Sequence, residues 1–213
     1  MLTFVEEIVL LLLRDEDGKF VPVSRLAMDR AIAGAVLMDL AMANRIDTDL
    51  EHLVLLDSTP VGDNLLDPTL AEIAKGDKRD TRFWVEHTVQ HADEIREGAL
   101  ARLVEQGILE RQEDRFLWVF RSRRYPMVDG KAEREVKLRI MGVLFSDEIP
   151  DPRDVVILCL ADACGLFRQM LSRRELDQAA TRIDQVRKLD LIGQAVSQAI
   201  HDIEVSIASA MIY

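Results

Sequence analysis

Asp57-Ser58-Thr59-Pro60-Val61-Gly62-Asp63-Asn64-Leu65-Leu66-Asp67-Pro68 is a turn-rich stretch between an apolar, strand-like run and a short helix. Asp57 and Asp63 bracket Pro60 and Gly62, and aspartates so placed fix turns through side-chain to backbone hydrogen bonds. Asp67 before Pro68 reads as a helix cap with proline at the first helical position, where the missing amide hydrogen is tolerated. Upstream, 45–47 and 53–56 read as short strands. Before them a helix over about 28–43 carries Ile32, Val36, Leu37 and Leu40 on one face, while Ala31, Ala33, Gly34 and Ala35 keep part of its surface thin enough for close helix approach. Thr3-Phe4-Val5-Glu6 forms a capping box opening a helix over 4–14, which is apolar around most of its circumference and so belongs in the centre of the fold. Asp15-Glu16-Asp17-Gly18 ends it.

Downstream, 81–91 and 94–106 are helical by periodicity, the second ending at Gly107 as a left-handed cap. Segments 108–111 and 116–120 flank the polar Gln112-Glu113-Asp114-Arg115, which predicts a hairpin turning at those four residues. A helix follows over 131–145, Pro150 and Pro152 mark a break, and helices over 154–171, 176–189 and 192–212 complete the chain. The expectation is a mainly α, single domain over 1–213, with short β-hairpins and no internal repeat.

The chain has 213 residues, 48% hydrophobic and 31% charged, enough for one large core or two closely packed sub-bundles. Its formal net charge of −11 repels phosphate backbones and anionic bilayers, so contact with either must come from a local basic patch, and no nucleic-acid partner is expected. Cys159 and Cys164 lie in one apolar helical stretch on different faces, which is neither a disulfide framework nor a metal knuckle and fits a reducing cytosol. The apolar run 8–13 is preceded by Glu6 and Glu7 instead of basic residues, so it does not read as an export signal. No window reaches the roughly 20 apolar residues needed to span a bilayer. The expected location is cytoplasmic, with any membrane contact peripheral at the inner face.

Chemistry-bearing residues are sparse. His87 and His91, four apart on one helix, have a spacing that can serve a metal with Asp93 or Glu94, but the zincin order is missing and a polar helix face is the simpler assignment. Asp57, Asp63 and Asp67 read either as hard-cation ligands or as turn and cap residues, the second being the simpler assignment. No nucleophile is marked by a serine, cysteine or histidine arrangement. The reading is therefore non-enzymatic, without cofactor or metal. Arg121-Ser122-Arg123-Arg124-Tyr125, with Met127, Val128 and Lys131 beyond, is a basic concentration that includes apolar side chains. It reads as a membrane contact, with Tyr125 and Met127 inserting, or as a solvated face. The helix ending at Gly107 with its hairpin also has a winged-helix outline, although Glu94, Glu97 and Glu105 burden the helix that would enter DNA.

Five stretches, taken in order, are similar to successive motifs of the Golgi phosphoprotein 3 family: 2–11 (LTFVEEIVLL), 33–41 (AGAVLMDLA), the 57–67 turn, 101–109 (ARLVEQGIL) and 158–163 (LCLADA). The resemblance runs through almost the whole chain and is to a compact, prokaryotic-type member. It implies a central helical bundle ringed by amphipathic helices. It also implies a peripheral-membrane adaptor, which in eukaryotic members recognises phosphatidylinositol 4-phosphate at Golgi membranes and retains glycosyltransferases. The family's headgroup pocket uses a tryptophan, an arginine before the glycine of the second motif, and two arginines three apart. Those positions read Ser24, Ala33, Asp93 and Arg96 here, so one guanidinium of three is kept. Arg25 and Arg30 are the neighbouring cations able to replace the lost charge. The implied partners are an anionic lipid headgroup near Arg96, aided by the basic segment, and a protein partner or a second copy. An interaction module of the same fold without lipid binding is the competing expectation.

Overall fold

The computed structural model describes residues 1–49, 52–116, 120–189, 194–196 and 198–202, with their side chains except within 113–122. Helix α1 (Phe4–Leu11) is closed at its start by the predicted box: Thr3 Oγ1 accepts from the Glu6 amide at 3.2 Å, and the Glu6 carboxylate accepts from the Thr3 amide at 2.8 Å. The Phe4 and Val5 amides, which the Thr3 cap leaves unpaired, donate to the Asp39 carboxylate at 2.9 and 3.1 Å. Every residue of α1 is buried. Burying one leucine side chain stabilises by about 1.5–3 kcal/mol, so Leu10 and Leu11, with Leu12 and Leu13 after them, anchor the core. The helix stops three residues short of the expected end because Leu13 leaves it to pair with Phe20 across the acidic turn.

Helix α2 (Arg25–Met42) starts three residues before the expected 28, since Ser24 accepts from the Ala27 amide and caps it. Its thin face serves the predicted purpose. A Cβ on Gly34 would lie 2.8 Å from Val196 Cγ1 and 3.0 Å from Leu160 Cδ2, so a larger residue would push those side chains back. Strands β1 (Ile46–Thr48) and β2 (Leu53–Leu55) then pair antiparallel, with Ile46 opposite Leu55.

The remaining helices are α3 (Asp67–Lys75), α4 (Thr81–Val89), α5 (Ala92–Glu105), α6 (Lys131–Leu144), α7 (Pro152–Ala163), α8 (Phe167–Met170) and α9 (Arg173–Val186). Helix α1 packs on α2, α5, α6 and α7, and α2 also packs on α4, α5 and α7. The protein is mainly α, with two buried helices at the centre and the others around them. No helix among the described residues is long and apolar enough to cross a membrane.

Three expectations are corrected. Asp67 does not cap α3: it lies inside the helix, and its carboxylate accepts from the Val61 and Gly62 amides at 2.8 and 3.0 Å. The second hairpin does not turn at 112–115. Those residues belong to strand β3 (Gln112–Phe116), which pairs antiparallel with β4 (Phe120–Arg124) in a ladder ending at Phe116 opposite Phe120. The helix expected over 154–171 is two, because Gly165 (φ +72°) takes a left-handed turn in which Leu166 N donates to Ala161 O. Of the helix expected over 192–212, 194–196 and 198–202 are helical and the rest lies outside the described residues.

Candidate functional site

The first turns of α2 and α5 face each other, and the periodicity of each helix puts two charged residues on the shared side: Arg25 and Asp29 at a spacing of four, Asp93 and Arg96 at a spacing of three. They close on one another. Arg96 Nη1 donates to Asp29 Oδ1 at 3.1 Å and Nη2 to Asp93 Oδ1. Arg25 Nη2 donates to Asp93 Oδ2, and its Nε lies 3.6 Å from Asp29 Oδ2. The Arg96 guanidinium also stands over the Phe20 ring, 5.7 Å from its centroid, with its side chain only 11% exposed. Burial pushes the Asp29 carboxyl up, while the charges of Arg96 and Arg25 pull against it. Two cations and two anions leave this quartet with no net charge.

The pocket residues expected from the resemblance are thus only partly brought together. Arg25, Asp93 and Arg96 share one cluster. Ser24 sits beside it, but its hydroxyl is engaged as the α2 cap. Ala33 and Arg30 are buried in the body of α2, so Ala33 is withdrawn from any contact with a ligand. Asp29 is the member that sequence reading missed. Its signal was present in the spacing of four from Arg25, which makes an ion pair on any helix.

The basic segment is similarly divided. Arg121 stands opposite Arg115 in the β3–β4 ladder, and its side chain lies outside the described residues. Arg123 is exposed and donates to Glu97 at 2.9 Å, while Arg124 is half-buried. Tyr125 was expected to insert into a membrane. It is 5% exposed and packs in the core, held by the donation of its amide to Gly18 O at 2.8 Å. Met127 is half-buried and bridges to Leu109. The surface beyond is different: Val128 is 62% exposed, Lys131 is exposed and 3.4 Å from Asp129, and Arg134 makes no ion pair with any described residue.

Helix α6 continues that surface. Lys131, Arg134, Leu138 and Phe145 recur at helical spacing, with Leu138 65% exposed and Phe145 exposed two turns on. Lys131, Arg134 and Leu138 line one shallow depression with Glu135 and Arg139. One helix face therefore presents cations at its start and bare apolar side chains toward its end.

The 57–67 turn is fixed by its own carboxylates. Asp57 accepts from the Thr59 amide at 2.9 Å, Asp63 from the Leu65 amide at 2.8 Å and from Arg102, and Asp67 holds the Val61 and Gly62 amides. These aspartates serve the turn. His87 Nε2 lies 3.0 Å from Glu72 Oε2 and its ring stacks on Phe83. Among the described residues no group of three or more histidine, cysteine or carboxylate side chains is placed to hold a metal ion.

Comparison with known proteins agrees with the motifs. The family model described as Golgi phosphoprotein 3 (GPP34) matches residues 4–203, and the chain belongs to that family. The comparison with curated proteins found no match.

Proposed function

We propose that this Golgi phosphoprotein 3 family domain is a non-catalytic, peripheral-membrane binding module that attaches to anionic lipid surfaces through the outer face of α6 and the loop before it. The observation that carries the reading is the succession of Lys131, Arg134, Leu138 and Phe145 at helical spacing along α6, with exposed Val128 in the loop just before it. Cations draw such a face to headgroups, and apolar side chains then enter the interface. A local basic face is what a chain of net charge −11 needs to approach an anionic bilayer at all. The Arg25–Asp29–Asp93–Arg96 quartet supports surface attachment over capture of a headgroup in the pocket, because each guanidinium there already has a carboxylate.

Flotation of the full chain with phosphatidylglycerol-containing vesicles tests this, with pure phosphatidylcholine vesicles as the reference. Each basic residue near a charged surface contributes about 1 kcal/mol, so Lys131→Gln with Arg134→Gln is expected to weaken binding about 30-fold. Raising salt should weaken the wild-type protein in the same direction. Arg96→Ala is expected to leave flotation unchanged. A loss on Arg96→Ala equal to that of the double variant would restore the pocket as the binding site. Absence of flotation at low salt, together with recovery of a stoichiometric protein partner, would replace the lipid reading with that of a protein-interaction module.

A further inference from the structure

On the other side of the α2 cap from the quartet lies a groove of about 630 Å³, within the usual range for small-molecule sites. It is walled by the start of α2, the α7–α8 turn, α9 and the helical residues at 198–202. Val23, Ala27, Phe167 and Ile183 give it an apolar floor. The charged groups on its walls converge on Asp162, a residue of the 158–163 motif to which the membrane reading assigns no part. Arg187 Nη1 is 3.2 Å from Asp162 Oδ2, Arg168 and His201 attract that carboxylate from farther away, and Asp184 repels it. Neither Arg168 nor His201 makes an ion pair with a described residue. Three groups able to carry positive charge thus surround two carboxylates, and one carboxylate is only singly held. Burial pushes the Asp162 carboxyl up, against the pull of Arg187.

We propose that this groove is a separate binding site for a small amphiphile with one anionic group, its apolar part lying on Val23, Ala27, Phe167 and Ile183 and its anion taken by Arg168, Arg187 and His201. The incoming anion replaces Asp162 at Arg187 and adds the two cationic groups that Asp162 does not fully engage. An apolar floor under a charged rim accounts for the amphiphilic requirement. A single-chain lipid and a small aromatic acid share this chemistry.

Amide chemical-shift titration of the full chain tests the assignment, using decyl phosphate below its micellar concentration, phenyl phosphate, inorganic phosphate and decyltrimethylammonium as probes. Saturable shifts centred on Ala163, Gly165 and Arg168 are expected with one or both organic phosphates. Tighter binding of decyl phosphate assigns a single-chain lipid, and tighter binding of phenyl phosphate assigns a small aromatic acid. Losing a charge-assisted hydrogen bond should make Arg168→Gln bind about tenfold more weakly. Asp162→Asn, which releases Arg187 without emptying the site, should bind severalfold more tightly. Lys131→Gln with Arg134→Gln should leave the titration unchanged, which separates this site from the membrane face. Equal affinity for inorganic phosphate or for the ammonium probe, shifts centred elsewhere, unchanged affinity in Arg168→Gln, or weaker binding in a folded Asp162→Asn would each overturn the proposal.

Discussion

Gly18→Ala is expected to lower stability by about 3 kcal/mol, the sum of a left-handed backbone penalty and forced displacement of packed chain. Gly18 has φ +63°, and a Cβ there would lie 2.2 Å from Pro126 N and 2.3 Å from the Tyr125 carbonyl carbon. Those atoms are backbone and cannot rotate away. Gly18 O also accepts from the Tyr125 amide, so the displaced strand loses a hydrogen bond that seats Tyr125 in the core. For a chain of this size the loss corresponds to a fall in melting temperature of about 10 °C. Gly62→Ala is the matched control. Its φ is +81°, but nothing lies within 4 Å of the added Cβ, so only the backbone penalty of about 1 kcal/mol remains. Equal shifts for the two variants would show that the close approach of 18 to 125–126 carries no weight.

Asp39→Ala should be nearly as damaging. It removes both acceptors of the Phe4 and Val5 amides from a buried site, and an orphaned buried donor costs about 1–3 kcal/mol, so a loss of about 3 kcal/mol is expected. The pH dependence gives a second readout. Burial pushes the Asp39 carboxyl up to about 7, outweighing the two backbone amides that favour its ionised form. The folded protein therefore holds a proton that the unfolded chain has released between pH ~4 and ~7. Asp39 contributes most below that window, and its contribution is lost as pH rises through it. Asp39→Asn keeps one acceptor oxygen and does not titrate, so its stability relative to wild type should rise across the window. Parallel denaturation midpoints from pH 4 to 8 would refute that assignment.

Much of this architecture was legible where the cause is local. The Thr3–Glu6 box, the Ala31–Gly34–Ala35 thin face and the Gly107 stop depend on residues a few positions apart, and sequence shows those directly. Asp39 was not legible as the partner of α1, because the amides it satisfies lie 34 and 35 residues away. The second hairpin was misread for a related reason. The polar residues at 112–115 suggest a turn, yet only Asp114 among them favours one, and the strand ladder carries them instead. At the candidate site, resemblance identified Arg96 and the damaging Asp93. It gave no hint that Asp29 and Arg25 would complete a ring, since that depends on how α2 and α5 meet. The exposed face of α6 was readable only as basic residues. That Val128 and Leu138 remain bare while Tyr125 is buried is settled by packing, which periodicity alone does not resolve.

The ring of Arg25, Asp29, Asp93 and Arg96 has a consequence for anything that docks there. It carries its own counter-ions, so an arriving phosphate gains a guanidinium only by evicting a carboxylate that also fastens α2 to α5. Occupancy would loosen a seam between two helices, making the cluster a mechanical latch and not a passive receptacle.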